Sequence, residues 1–284
     1  MSNTTKPVWF ITGCSTGFGR ELVKQLLDKS YNVVITARNI NKIQDLANGY
    51  DTNSLVLPLD VTNEEQIKSA VAKAEEKFGH IDVLVNNAGY GYFSSIEEGE
   101  DDKVRAQFET NVFGLIHVTQ AVLPGMRKRK KGNIVNVSSI GGLRSFASTG
   151  FYHATKYAIE GLSETLSIEA APVGIKVTLV EPGPFRTDWA GRSSIRTPLK
   201  IAEYESTVGV RLKASAEISG KQIGDPVRGV AAIIKAVEAE NPPLHLLLGK
   251  PAYELALGKI DLLKKDFEDW KEVTLGADFP ENEA

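Results

Sequence analysis

Seven short apolar runs recur along the chain with helical patterns between them, and this alternation restricts the possible folds more than any other feature. The runs are VWFIT (8 to 12), VVITA (33 to 37), LVLPLDV (55 to 61), IDVLVNN (81 to 87), NIVNVSS (133 to 139), IKVTLVEP (175 to 182) and LHLLLG (244 to 249). They are apolar at nearly every position instead of alternating, so both faces of each strand need cover, as in a parallel sheet between two helix layers. The intervening segments supply it. RELVKQLLDK (20 to 29) carries Leu22, Val23, Leu26 and Leu27 on one stripe, and NEEQIKSAVAKAEEKF (63 to 78) follows. Further helices run from about 101 to 126, from Tyr152 to about Ala171, and from Pro226, with Asp225 as N-cap. The pattern predicts a doubly wound α/β fold with a seven-stranded, mainly parallel sheet and helices on both faces. No repeat, low-complexity tract or linker breaks it, so residues 1–284 read as one domain.

Composition excludes several function classes. A net charge of -3 gives no general attraction to nucleic acid, and the basic run MRKRKKG (126 to 132) reads as a solvated helix end. The stretch MSNTTKPVWF lacks a charged segment followed by an apolar one, and no run of about 18 apolar residues suggests a membrane span. A single cysteine, Cys14, excludes an internal disulfide and agrees with a reducing compartment. These features predict a cytoplasmic protein.

The first strand runs into TGCSTGFGR, with Gly13, Gly17 and Gly19 opening a helix. Helix N-terminal N–H groups favour a pyrophosphate there, and glycines allow it close approach. The spacing differs from G-x-G-x-x-G, so position after the first strand carries the assignment. The end of the second strand, VVITARN, offers no acid to a ribose hydroxyl; Arg38 stands directly after it and suits a 2′-phosphate. The bland alternative for Arg38 is a surface side chain.

FYHATKYA (151 to 158) places Tyr152 and Lys156 one helical turn apart on one face. A nearby ammonium lowers a phenol's pKa from about 10, which would make an acid/base pair. Read alone, the same octapeptide also fits an interfacial tyrosine and a solvated lysine on an amphipathic helix.

TGCSTGFG, LDVT, NNAG (86 to 89), Asn111 in TNVFG, NVSS (136 to 139), YHATK and PGPFRT (182 to 187) occur in the order and spacing of the short-chain dehydrogenases/reductases, which the chain resembles from residue 8 to about 190. Within that superfamily it is similar to the NADP-dependent branch that includes hydroxysteroid and retinol dehydrogenases, on the likeness around PGPFRTDWAGRS. The resemblance implies a Rossmann-type fold and NADP(H) as cofactor. It implies Tyr152 as the catalytic tyrosine, Lys156 as the lysine that lowers its pKa and holds the nicotinamide ribose, and Ser139 as the serine that bonds the substrate oxygen. Ser138, its neighbour on the strand, points to the other face. Asn111 matches the residue whose helix distortion positions a water beside the lysine. Gly13, Ser15, Gly17, Phe18 and Gly19 would form the pyrophosphate loop, Asp60 and the Val61 backbone would meet the adenine, and Asn87, Ala88 and Gly89 would line the adenosine ribose. Pro182, Gly183 and Thr187 would hold the nicotinamide, whereas Pro184 takes no role.

These residues predict an oxidoreductase that interconverts a ketone or aldehyde with an alcohol on a small, apolar substrate, without a metal: the histidines at 80, 117, 153 and 245 are scattered, and His153 points about 100° away from Tyr152 around the helix. Two other readings stay open, a catalytically silent NADP-binding sensor and an epimerase or dehydratase of the extended branch. Apolar residues on more than one face of the 101–126 and Tyr152 helices (Phe108, Val112, Phe113, Ile116, Tyr157, Leu162, Leu166), with the family's pairing of these helices across a two-fold axis, predict a homodimer or homotetramer. The stretch from 188 to about 224 is far longer than an ordinary connection and reads as a mobile lid.

Overall fold

The computed structural model describes residues 6–191 and 193–279. The first five residues of the N-terminal stretch and Arg192 of the 188–224 stretch lie outside the described residues. All seven apolar runs become strands: β1 (Val8–Ile11), β2 (Asn32–Ala37), β3 (Ser54–Pro58), β4 (Val83–Asn86), β6 (Gly132–Val137), β7 (Ile175–Pro182) and β9 (His245–Leu248). They form one sheet in the order β3-β2-β1-β4-β6-β7-β9, and every pairing in it is parallel. The third strand ends at Pro58, earlier than the apolar pattern suggests, so Asp60 and Val61 lie in the loop beyond it.

Strand β1 shows why continuous apolar runs were needed. Trp9 and Ile11 belong to a core with Leu22, Leu26, Val230 and Ile233, whereas Val8 and Phe10 belong to a second core with Ile67, Val71, Val118 and Val122. The first layer is α1 (Gly17–Asp28) and α7 (Pro226–Glu238); the second includes α2 (Glu64–Phe78), α4 (Gly114–Arg129) and α5 (Gly150–Ala170). Residues one apart on a strand point to opposite faces, so each strand needs apolar groups in succession. Leu84 on β4 is fully buried, and truncating it to alanine costs about 2–5 kcal/mol.

The segment from 101 to 129 is not one regular helix. It comprises α3 (Asp101–Phe108), a π-helical turn at Glu109–Phe113, and α4. Phe113 on this segment and Tyr157, Leu162 and Ile168 on α5 are exposed, but Val112 is buried, so the unpartnered apolar surface is narrower than the sequence suggests. A two-stranded parallel sheet, β5 (Gly91–Phe93) with β8 (Ser194–Arg196), was not expected, because three-residue strands are too short to show a period. It docks the start of the 188–224 stretch, which continues through irregular turns and α6 (Val210–Glu217). The chain closes with α8 (Lys250–Asp269) and α9 (Lys271–Leu275). Among the described residues, no helix is long and apolar enough to cross a membrane.

Candidate active site

The sheet order turns between β1 and β4, and in doubly wound folds the crevice at the carboxyl ends of such strands is where ligands bind. The glycine loop follows β1 there. Gly13 has φ +73°, which disfavours other residues, and a Cβ on Gly19 would lie 2.5 Å from Asn87 Nδ2 and 2.6 Å from Gly13 O. The clash is with the protein's own chain, so these glycines are required before any ligand is considered. Asn87 Nδ2 donates to Thr12 O (2.9 Å) and Gly13 O (3.0 Å), while the N–H groups of Asn87 and Ala88 both donate to Thr12 Oγ1 (3.0 Å each). Asn87 Nδ2 thus fastens the glycine loop to the end of β4. Thr12, the first residue of the TGCSTGFG motif, is the hub of this loop.

Residues present fit a dinucleotide phosphate. The N-cap of α1, Thr16, makes no side-chain bond to the helix, and the first turn carries no acid, so the first-turn N–H groups stay uncommitted. Ser15, Thr16 and Gly17 line a cavity of about 530 Å³ whose far wall includes Arg186, Thr187 and Asp188. Thr187 also caps the turn that follows it, accepting from Trp189 N at 3.4 Å. Phe18 packs on Phe185 at 5.0 Å between ring centroids. Pro182 ends β7, and Gly183 N donates to Leu248 O (3.0 Å). Arg38 is exposed just past β2, close enough to Tyr90 for its charge to oppose the rise that burial causes in that phenol's pKa. The Asp60 carboxylate accepts from the Thr62 N–H (3.0 Å) and hydroxyl (2.8 Å), and Val61 is buried against Gly114.

The acid/base residues converge. Tyr152 and Lys156 lie on α5 and are buried; Ser139 follows β6 and its hydroxyl is within hydrogen-bonding reach of the Tyr152 hydroxyl. Ser139 Oγ also accepts from Gly141 N (3.0 Å), which fixes its rotamer. Ser138 points away, as strand alternation requires, and donates to Glu160. Lys156 Nζ donates to Val137 O (2.7 Å) and stands 5.6 Å from the Tyr152 ring centroid. Burial pushes the Tyr152 phenol above its ordinary range, with the Ser139 hydrogen bond offsetting part of the rise. Burial also pulls the Lys156 ammonium down to about 8, opposed by the Glu160 carboxylate. The phenol therefore shifts in the direction opposite to the one the i, i+4 pairing suggests: desolvation, omitted from the sequence argument, is the larger cause, and the Ser139 hydrogen bond opposes it.

Asn111 sits in the π turn, at the helix distortion expected of it. Its side chain is committed elsewhere: Oδ1 accepts from Tyr90 N (3.0 Å), while Nδ2 donates to Tyr90 O (2.9 Å) and Thr155 Oγ1 (3.1 Å). That network holds Gly89 and Tyr90 against α5, and a Cβ on Gly89 would come within 3.0 Å of Asn111 Oδ1. His153 is buried among Thr149 and Phe146, and burial pulls its imidazole down to about 4, so it is neutral near pH 7.

Two features escaped the sequence. Trp189, expected in a lid, packs directly on Tyr152 (4.9 Å between centroids) and on Phe93 (5.4 Å). Glu160, Glu181 and His245 come together from α5, β7 and β9, with potential ligand atoms all within 4.8 Å of one another. His245 Nδ1 and Glu181 Oε1 are 2.7 Å apart, and both carboxylates leave one buried oxygen without a hydrogen-bond partner. Burial raises both carboxyls, which favours a proton held between them. Three residues on three elements leave no spacing signal.

Comparison with known proteins agrees with this geometry. Residues 7–196 match the family model described as short chain dehydrogenase. Oxidoreductase BOA17 of Botryotinia fuckeliana is 37% identical over 271 residues, covering 95% of this chain and 98% of that protein. A 3-ketodihydrosphingosine reductase of Bacteroides thetaiotaomicron is 36% identical, covering 84% and 86%. Among solved structures, a short-chain dehydrogenase from Streptomyces avermitilis superposes with a TM-score of 0.90 at 39% identity, over 96% of this chain and all of that one. ElxO with NADP bound superposes with a TM-score of 0.71 at 29% identity, over 86% and 97%.

Proposed function

This chain belongs to the short chain dehydrogenase family, and from that premise we propose that it is an NADP(H)-dependent reductase of an apolar ketone or aldehyde, running in reverse as an alcohol dehydrogenase. The chain is a nicotinamide-dependent oxidoreductase by family; the cofactor's phosphate, the substrate class and the roles of individual residues are the content of the proposal. The observation that carries it is the hydrogen bond between the buried Tyr152 and Ser139, with Lys156 beside the Tyr152 ring.

The nicotinamide, when bound, supplies or accepts a hydride at the substrate carbon. Tyr152 gives the substrate oxygen its proton in reduction and takes one in oxidation. A phenol raised above its usual range is fully protonated at neutral pH, which suits the reduction direction, since an alkoxide is a far stronger base than a phenolate. Ser139, held by Gly141 N, donates to the developing oxyanion. Lys156 places a positive charge beside both. With its side chain committed to Tyr90 and Thr155, Asn111 acts by holding the wall of the site, and any water relay at the π turn uses its main chain. Arg38 at an acid-free strand end supports NADPH over NADH, as does the NADP seen in ElxO. Trp189 against Tyr152 makes one wall of the substrate site apolar, and the Bacteroides relative is named for reducing 3-ketodihydrosphingosine. The 188–224 stretch acts as the lid, the enzyme works in the cytoplasm, and the exposed side chains of α4 and α5 pair two copies.

NADPH oxidation measured against ketones and aldehydes graded from small and polar to long-chain and polycyclic tests the reading. Turnover that rises with apolar size is expected. NADPH binding with no turnover on any member would favour a sensor instead.

A further inference from the structure

The C-terminal helix has an outer face that packs on nothing in its own chain. Ala252 and Ala256 at the start of α8 are buried with Ile140, but every residue from Ile260 to Phe279 is exposed. A lone helix of this length is marginal in water, and helices of this kind gain their stability by packing an apolar face. Such a face exists. Tyr253, Ala256, Ile260, Leu263, Phe267 and Trp270 recur at alternating intervals of three and four, the a and d positions of successive heptads, and all but Ala256 are exposed.

We propose that α8, from Tyr253 to its C-cap Trp270, forms an antiparallel two-helix seam with a second copy of this chain. The repeat is symmetric about a point between Asp261 and Leu262. Antiparallel pairing about a two-fold axis there sets Ile260 against the partner's Leu263, Phe267 against the partner's Ala256 and Tyr253 against the partner's Trp270. The small residue of the pattern therefore meets one of its large ones. Flanking charges follow the same symmetry: Lys259 falls beside the partner's Asp266, and neither residue has an ion pair in its own chain among the described residues. On the other flank Leu257 meets the aliphatic stem of the partner's Lys264. Lys250 and Lys271 also face across the seam, but each is paired within its own chain, with Glu254 (3.6 Å) and Glu268 (3.8 Å).

Size and charge argue for a second copy over a lipid surface. Tyr253, Phe267 and Trp270 are each about six-tenths exposed, so at roughly 200 Å² per aromatic side chain they alone remove about 350 Å² per copy from water; the aliphatic residues bring the pair to about 1,000–1,400 Å², within the range of specific interfaces. From Lys259 to Lys271 the chain has four lysines and four carboxylates, which gives no net attraction to an anionic bilayer. This seam is built from α8 and not from α4 or α5, and it does not depend on the reaction proposed above.

Sedimentation velocity of the full chain over a concentration series tests it, with circular dichroism confirming that each variant is folded. Phe267→Asp is expected to halve the assembled mass, whether from four copies to two or from two to one. Lys259→Glu, which sets like charges together twice per seam, should weaken association about tenfold, and adding Asp266→Lys should restore it. Oxidation of an Ile260→Cys/Leu263→Cys variant should give a covalent dimer. An unchanged mass for Phe267→Asp overturns the proposal, and halving without rescue by the double charge reversal overturns the antiparallel register. Wild-type flotation with phosphatidylcholine/phosphatidylserine vesicles, lost in Phe267→Asp while the mass stays constant, would assign the face to a membrane instead.

Discussion

Replacing Glu160 with glutamine should change how stability depends on pH, and the structure gives both sign and size. Glu160 and Glu181 are almost fully buried. Ser138 donates to Glu160, and His245 on β9 faces Glu181 at 2.7 Å; Lys156 and Glu164 on α5 complete the charged surroundings. Burial pushes the Glu160 carboxyl up to about 8, with the Ser138 bond and the Lys156 charge opposing and the Glu181 carboxylate reinforcing. An unfolded glutamate has lost its proton by about pH 5. Between these values the native state binds a proton that the unfolded state does not, so stability falls as pH rises and the loss is complete above about pH 8. A rise of this size corresponds to about 5 kcal/mol at most, and the pair shares its proton, so about 2–4 kcal/mol is expected. Lys156 has the opposite slope, but only from about 8 upward, outside this window. Glu160→Gln keeps the side-chain volume and presents an N–H to Glu181, as the protonated carboxyl does, but cannot ionise. Urea unfolding between about pH 5 and pH 8 should therefore show wild type losing about 2–4 kcal/mol relative to the variant. Parallel profiles would mean that the carboxyl pair holds no native proton.

Other substitutions test the site. Tyr152→Phe should lower turnover by at least about a hundredfold while NADPH still binds, read by steady-state rates and fluorescence titration; normal turnover would remove the tyrosine from the chemistry. Arg38→Ala should weaken NADPH about tenfold or more and leave NADH nearly unchanged, since a charge-assisted contact to the 2′-phosphate carries about 1.5–3 kcal/mol; equal losses would clear Arg38 of that role. Trp189→Ala should raise KM for bulky apolar carbonyls more than for small polar ones, with proteolysis of the 188–224 stretch suppressed by cofactor plus substrate in wild type. A uniform kinetic effect and unchanged proteolysis would mean that Trp189 only packs on Tyr152.

The layered sheet, its strand positions and the convergence of Tyr152, Lys156 and Ser139 were all readable from the chain. Each rests on a local period or a short motif: continuous apolar runs demand two covered faces, a one-turn spacing puts Tyr152 and Lys156 together, and strand alternation separates Ser138 from Ser139. Tertiary structure decided what depends on burial and distant neighbours. The motif NNAG shows that an asparagine is present, but only the approach of β4 to the glycine loop commits the Asn87 amide to Thr12 and Gly13. A lysine beside a tyrosine predicts a lowered phenol; only the depth of α5 in the molecule reverses the shift, because desolvation acts through the whole surrounding volume and has no spacing in sequence. Glu160, Glu181 and His245 meet only because the parallel order brings β9 beside β7 and lays α5 across it, so the buried carboxyl pair is a property of the assembled sheet and of no segment within it.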